Sequence, residues 1–96
     1  MHVVIRTYYG KGTKKLFDLA EQHEAELQSL MRTVEGLVSY TVARDRRGGF
    51  SVTVCRDKNG IKQSLKIARH FLAQHAPEMS LAAMHISEGK VITHVK

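Results

Sequence analysis

The stretch from His2 to Tyr9 is rich in Val, Ile and Tyr, and Gly10 and Gly12 close it, which predicts a strand. Thr13 is placed to cap a helix. From there to Val34 the apolar residues fall at Leu16, Leu19, Ala20, Leu27, Leu30, Met31 and Val34. That is the three-and-four spacing of an amphipathic helix, and Gly36 is its expected stop. Leu37 to Arg44 reads as a second strand, and Arg46-Arg47-Gly48-Gly49 as a hairpin turn. Phe50 to Arg56 predicts a third strand, with Phe50, Val52 and Val54 alternating against Ser51, Thr53 and Cys55. Asp57-Lys58-Asn59-Gly60 caps a second helix whose stripe is Ile61, Leu65, Ala68 and Leu72 and which Pro77 ends. Leu81 to Ser87 predicts a fourth strand, Glu88-Gly89-Lys90 a turn, and Val91 to Val95 a fifth strand or an extension of the fourth.

The predicted order is β-α-β-β-α-β with a C-terminal hairpin, the split βαβ or ferredoxin-like arrangement of the α+β class. No linker, repeat or low-complexity segment divides it, so residues 1–96 read as one domain. Right-handed crossovers place both helices on one face of an antiparallel sheet. The bulky set of the middle strands (Val38, Tyr40, Val42, Phe50, Val52, Val54) is expected beneath the helices. The small or hydroxylated set (Ser39, Thr41, Ala43, Ser51, Thr53, Cys55) is then expected on the open face. A face so poor in charge can pack against a second sheet, and a chain of 96 residues has a marginal core, so a homodimer is expected.

Composition narrows the class. Lys and Arg number 15 against 9 Asp and Glu, a formal charge of +6. The cations are dispersed over three stretches with no aromatics among them, which reads as a solvated surface rather than a nucleic-acid footprint. RNA-recognition sheets need exposed aromatics on their central strands, and the third strand offers only Phe50. No apolar run is long enough to span a membrane, and the N-terminus lacks the pattern of a secretory signal. The lone Cys55 excludes an intramolecular disulfide and suits a reducing compartment, so a cytoplasmic location is expected. Neither GxxxxGK[ST] nor GxSxG occurs.

The six histidines carry the chemical signal. Winding each predicted helix at about 100° per residue turns His23 and His75 toward the sheet and His70 away from it. Each inward imidazole is either a core ring satisfied by a carbonyl or hydroxyl, or one wall of a pocket between helices and sheet. Arg6, Tyr8 and Tyr40 are the polar partners that the strands can offer such a pocket. Two histidines with no carboxylate at matching spacing, no HExxH and a single cysteine give no metal site. The acidic residues of the first helix, Asp18, Glu21, Glu24 and Glu26, read as its wet face.

Several short segments resemble the antibiotic-biosynthesis monooxygenase superfamily, most closely its haem-degrading branch. They are Lys11-Gly12-Thr13, Val34-Glu35-Gly36-Leu37, Val52-Thr53-Val54, His75 late in the second helix, and Lys90-Val91-Ile92-Thr93. The resemblance covers nearly the whole chain and implies a homodimeric α+β barrel with a pocket between helices and sheet in each subunit. It also implies haem as a possible cofactor, with His75 at the position of the iron ligand. The chain departs from that branch at two places: Val4-Ile5-Arg6 stands where an Asn is expected, and Leu65 where a Trp is expected.

Two functions follow as expectations. One is a small monooxygenase-like enzyme acting on a planar or aromatic molecule, with His75 catalytic and His23, Tyr40, Arg6 and Tyr8 binding the ligand. The other is a non-catalytic domain that holds a small molecule or haem in the same pocket.

Overall fold

The computed structural model describes residues 1–77 and 85–96. Its elements are β1 (His2–Tyr9), α1 (Thr13–Gln22), α2 (Glu24–Met31), β2 (Leu37–Arg44), β3 (Gly48–Cys55), α3 (Lys58–His75) and β4 (His85–Lys90). The four strands form one sheet in the order β2-β3-β1-β4, every neighbouring pair antiparallel. This is the ferredoxin-like arrangement that the sequence predicts. The helices pack on one face, around a core of Val4, Leu27, Met31, Val34, Cys55, Ile61 and Phe71.

Local chemistry explains most boundaries. Asp57 caps α3, its Oδ1 accepting from the Gly60 amide at 3.1 Å. Asp45 closes the β2–β3 turn by accepting from the amides of Arg47 and Gly48 at 2.9 and 3.0 Å. Gly12, rather than Thr13, occupies the N-cap of α1. Thr13 instead turns its hydroxyl back to donate to the Gly10 carbonyl at 2.8 Å.

Three expectations are corrected. The long first helix is two helices, broken at His23, whose φ of −117° and ψ of 31° leave the helical region. The break redirects α2 while the backbone ladder stays closed: the His23 amide donates to the Leu19 carbonyl, and the His23 carbonyl accepts from the Leu27 amide.

The second correction concerns β3, whose two faces are exchanged. Ser51, Thr53 and Cys55 are the buried, helix-facing set, and Phe50 and Val52 are half-buried on the opposite face. Cross-strand register fixes this, because Thr53 lies opposite both Val4 and Tyr40, and Val52 opposite both Ile5 and Thr41. A register shift between Leu37 and Ser39 lets Leu37 and Tyr40 both reach the helix side.

The third lies at the C-terminus. The predicted fourth strand, Leu81 to Ser87, falls partly outside the described residues. Beyond it, Glu88-Gly89-Lys90 is strand rather than turn, and Val91 to Val95 is not strand. The ladder runs out where its partner does: Lys90 pairs with His2, and Val91 makes one last bond to the Met1 carbonyl.

The small helix-facing residues of β3 permit close approach of α1. A Cβ at Gly49 would lie 2.4 Å from the Ala43 carbonyl oxygen and 2.6 Å from Phe17 Cζ. Gly49→Ala is therefore expected to destabilise the protein by about 1–3 kcal/mol. Urea denaturation should show a lower midpoint at unchanged slope, and an unaltered midpoint would contradict the packing.

Candidate functional site

The exchange of faces on β3 leaves space between helices and sheet. The helix-facing positions of the central strand carry only hydroxyls and a thiol, so the rings and aliphatic chains of other elements close the gap incompletely. A cavity of about 70 Å³ remains. Phe17 of α1, Leu27 and Met31 of α2, and Leu65, Phe71 and Leu72 of α3 form its roof. Arg6, Tyr8, Tyr40, Ser51 and Thr53 form its floor. The cavity adjoins an outer groove of about 620 Å³ between α2 and the edge strand β2, with which it shares Phe17, Leu27, Met31, Tyr40 and Val42.

Alternation places the floor groups together. Arg6 and Tyr8 are two apart on β1 and face the helices, and Tyr40 reaches the same layer from β2 across Thr53. The Tyr8 and Ser51 side chains lie side by side on the floor. Phe17 meets the Tyr8 ring edge-on, with centroids 6.0 Å apart. Ser64, buried in the roof, donates to the Ile61 carbonyl at 2.7 Å. No described buried side-chain polar atom lacks a partner.

Burial dominates the ionisation of both phenols. It pushes the Tyr40 hydroxyl up to about 12, helped by the neighbouring Tyr8 and opposed by Arg6. It also raises Tyr8, against the opposing influence of Arg6 and the Ser51 hydrogen bond. At neutral pH the floor therefore presents two neutral phenol donors beside one guanidinium.

The rim is electrostatic. Arg44 at the end of β2 donates to Asp18 Oδ1 at 2.8 Å, to Glu21 Oε1 at 3.1 Å and to the Lys14 carbonyl at 3.3 Å. Lys14 also donates to Asp18 at 2.9 Å. Hydrogen bonds from Lys14 and then Arg44 hold the Asp18 carboxyl below its usual range. These contacts fasten α1 over the strand edge at the mouth of the groove.

His23 and His75 come together, but at the helix ends rather than in the cavity lining. Their rings stack with centroids 3.9 Å apart and planes 26° from parallel. His75 Nε2 lies 2.6 Å from Glu26 Oε2. Phe71 separates this cluster from the cavity, with its centroid 4.7 Å from that of His75 and 6.1 Å from that of His23. Of the sequence candidates, Arg6, Tyr8 and Tyr40 thus share the cavity, while His23 and His75 share a neighbouring cluster. The sequence reading missed Phe71, Ser64, Arg44 and Glu26. The first two continue the three-and-four spacing of the second-helix stripe and were legible there; the last two depend on tertiary contacts.

No known family profile matches the chain, and no curated protein matches it. Solved structures do match over nearly the full length. A single-residue mutant of MhuD, with two manganese protoporphyrin IX bound per active site, shares 14% identity at a TM-score of 0.61, covering 99% of this chain and 97% of that one. A dimeric ferredoxin-like protein from an uncultured marine organism shares 16% identity at a TM-score of 0.61, covering 99% and 95%. A Chloroflexus aurantiacus J-10-fl protein described as a candidate antibiotic biosynthesis monooxygenase shares 15% identity at a TM-score of 0.58, again covering 99% and 95%. At these identities the likeness establishes the fold alone, which is the ferredoxin-like one expected from the sequence. No helix among the described residues is long and apolar enough to cross a membrane.

Haem does not fit the residues present. The inner cavity of about 70 Å³ admits only the edge of a ligand, so a macrocycle would have to lie in the outer groove of about 620 Å³. Neither the cavity nor the outer groove is lined by a described histidine, and His75 is engaged by Glu26 on the far side of Phe71. Tyr40, as a phenol pushed up to about 12, is a poor source of a phenolate ligand.

The raised phenol has a consequence for stability. Folded Tyr40 keeps its proton up to about 12, whereas the unfolded side chain releases it near 10. The contribution is therefore complete below pH ~10 and is lost as pH rises to ~12, about 2–3 kcal/mol in all. Denaturant titrations across that window should show a shallower alkaline loss for Tyr40→Phe than for wild type. Equal slopes would mean that the phenol is not buried as described.

Proposed function

We propose that this chain binds a planar or aromatic small molecule that carries an acidic hydroxyl or enol, and acts on it as a small monooxygenase-like enzyme without haem. The observation that carries the reading is the convergence of Arg6, Tyr8 and Tyr40 on a mainly apolar cavity that adjoins a larger groove. The flat body of the ligand lies in the groove against Leu27, Met31 and Val42, and its oxygen edge enters the cavity. Arg6 supplies a cation, and the two neutral phenols supply hydrogen bonds, to an oxygen that gains negative charge. Because their high proton affinity keeps both phenols protonated, they act as donors at neutral pH and do not compete with the ligand for anionic character.

Stabilising a phenolate or enolate is the chemistry this set can supply, and such an electron-rich anion is the form of an aromatic ring that reacts with dioxygen. The apolar roof excludes water and strengthens each of these interactions. In this reading Arg6 and the phenols contact the reacting edge, and His75 stands behind Phe71. The non-catalytic alternative uses the same contacts and differs only in the absence of turnover.

A second copy of the chain is the proposed partner. On the face opposite the helices, Val3, Ile5, Phe50 and Val52 form an apolar patch, and among the described residues no helix packs on it. Ile5 is 38% exposed there. The exchange of faces on β3 makes this surface more apolar than the sequence reading anticipated, which favours sheet-to-sheet association.

Fluorescence or calorimetric titration with a hydroxynaphthoquinone, which is ionised at neutral pH, tests the ligand class. Arg6→Met should weaken binding by about 10–100-fold, and Tyr40→Phe by about 2–10-fold. Equal affinity in all three proteins would reject the assigned floor. Oxygen uptake with the corresponding quinol separates turnover from storage. In sedimentation velocity, wild type should run as a dimer and Ile5→Glu as a monomer. A monomeric wild type would remove the partner proposal and leave the cavity reading intact.

A further inference from the structure

The break at His23 has a chemical result beyond the change of helix direction. His23 becomes the N-cap of α2, and Glu26 stands three residues on, within the first turn of α2. Residues at this spacing share a helix face. Both reach His75, the last residue of α3. The three side chains offer ligand atoms that all lie within 4.8 Å of one another, and this is the only such trio among the described residues.

We propose that His23, Glu26 and His75 form a binding site for one divalent transition ion of the zinc class. The donor set, two imidazoles and a carboxylate, matches the three-ligand sites of zinc, which leave a fourth position for water. Both histidines are half-buried and Glu26 is exposed, so that fourth position faces solvent. Phe71 packs against both rings and holds them side by side at the helix ends.

The two rings stack with centroids 3.9 Å apart and planes 26° from parallel, so one ring tilts when both in-plane lone pairs meet a single ion. Metal–ligand bonds of about 2.0–2.2 Å need donor atoms a little over 3 Å apart. The imidazole and carboxylate donors of His75 and Glu26, now 2.6 Å apart, must therefore open by about an ångström, which an exposed Glu26 side chain can supply. Bound there, the ion would clamp the end of α3 to the start of α2 beside the roof of the cavity. The site does not depend on what the cavity binds, because Phe71 stands between them.

The test uses the full chain, stripped of metal with a chelator and then titrated with Zn²⁺ by calorimetry and with Co²⁺ by visible absorption. One ion per chain should bind saturably, and Zn²⁺ should raise the midpoint of thermal unfolding by several degrees. Glu26→Gln, His23→Ala and His75→Ala should each weaken binding by more than about tenfold, while His70→Ala, at an exposed position, should bind as wild type does. Glu26→Gln changes an exposed side chain without altering its size, so it reports on the site even where a histidine variant folds poorly. The proposal is overturned by absence of saturable one-to-one uptake, or by unchanged affinity in Glu26→Gln with its far-UV circular dichroism intact.

Discussion

Small side chains beneath the helices govern this structure. Ser51, Thr53 and Cys55 of β3 face the core, with Gly49 at the start of the same row and Gly60 at the start of α3 against Cys55. A Cβ at Gly60 would come within 2.8 Å of the Cys55 Cβ, so α3 settles on the central strand as closely as backbone and thiol permit. The strand contributes little bulk, and volume must come from elsewhere. Phe17, Phe71, Tyr8 and Tyr40 supply it as rings, and rings meeting edge-on from different elements do not tile a space completely. The cavity follows from that constraint.

The same constraint sets the electrostatics. The buried polar side chains are satisfied locally, as Ser64 is by donating to the Ile61 carbonyl. Among the described residues, the guanidinium of Arg6 is the one charge on the cavity lining, between two phenols whose protons are held by burial. The acidic residues that could compete for it are occupied at the rim, where Arg44 gathers Asp18 and Glu21. Charge is thus sorted by depth, with ion pairs in water and a single cation inside.

Phe71 joins the two chemical regions of the molecule. One side of its ring closes the cavity, and the other backs the stacked imidazoles of His23 and His75. The Glu26 carboxylate sits in the first turn of α2, the helix end whose dipole suits its charge.

By itself the sequence determined the first three strands, the second helix, their order and hence the ferredoxin-like arrangement, because these rest on local periodicity, glycine stops and an Asp cap. It also marked Arg6, Tyr8 and Tyr40 as companions, since alternation along β1 and β2 brings them to one face. Only the tertiary structure decided which face of β3 goes inward: a period of two separates a strand's faces without saying which is buried, and bulk alone chose wrongly. It alone split the first helix, since the apolar stripe runs on through His23 with no Gly or Pro to mark the bend. It alone ended the last strand at Lys90, because a strand needs a partner and β1 had none left to give. Glu26 belongs with these, a surface acid on any helical wheel, made a neighbour of His75 by contact across 49 positions of chain.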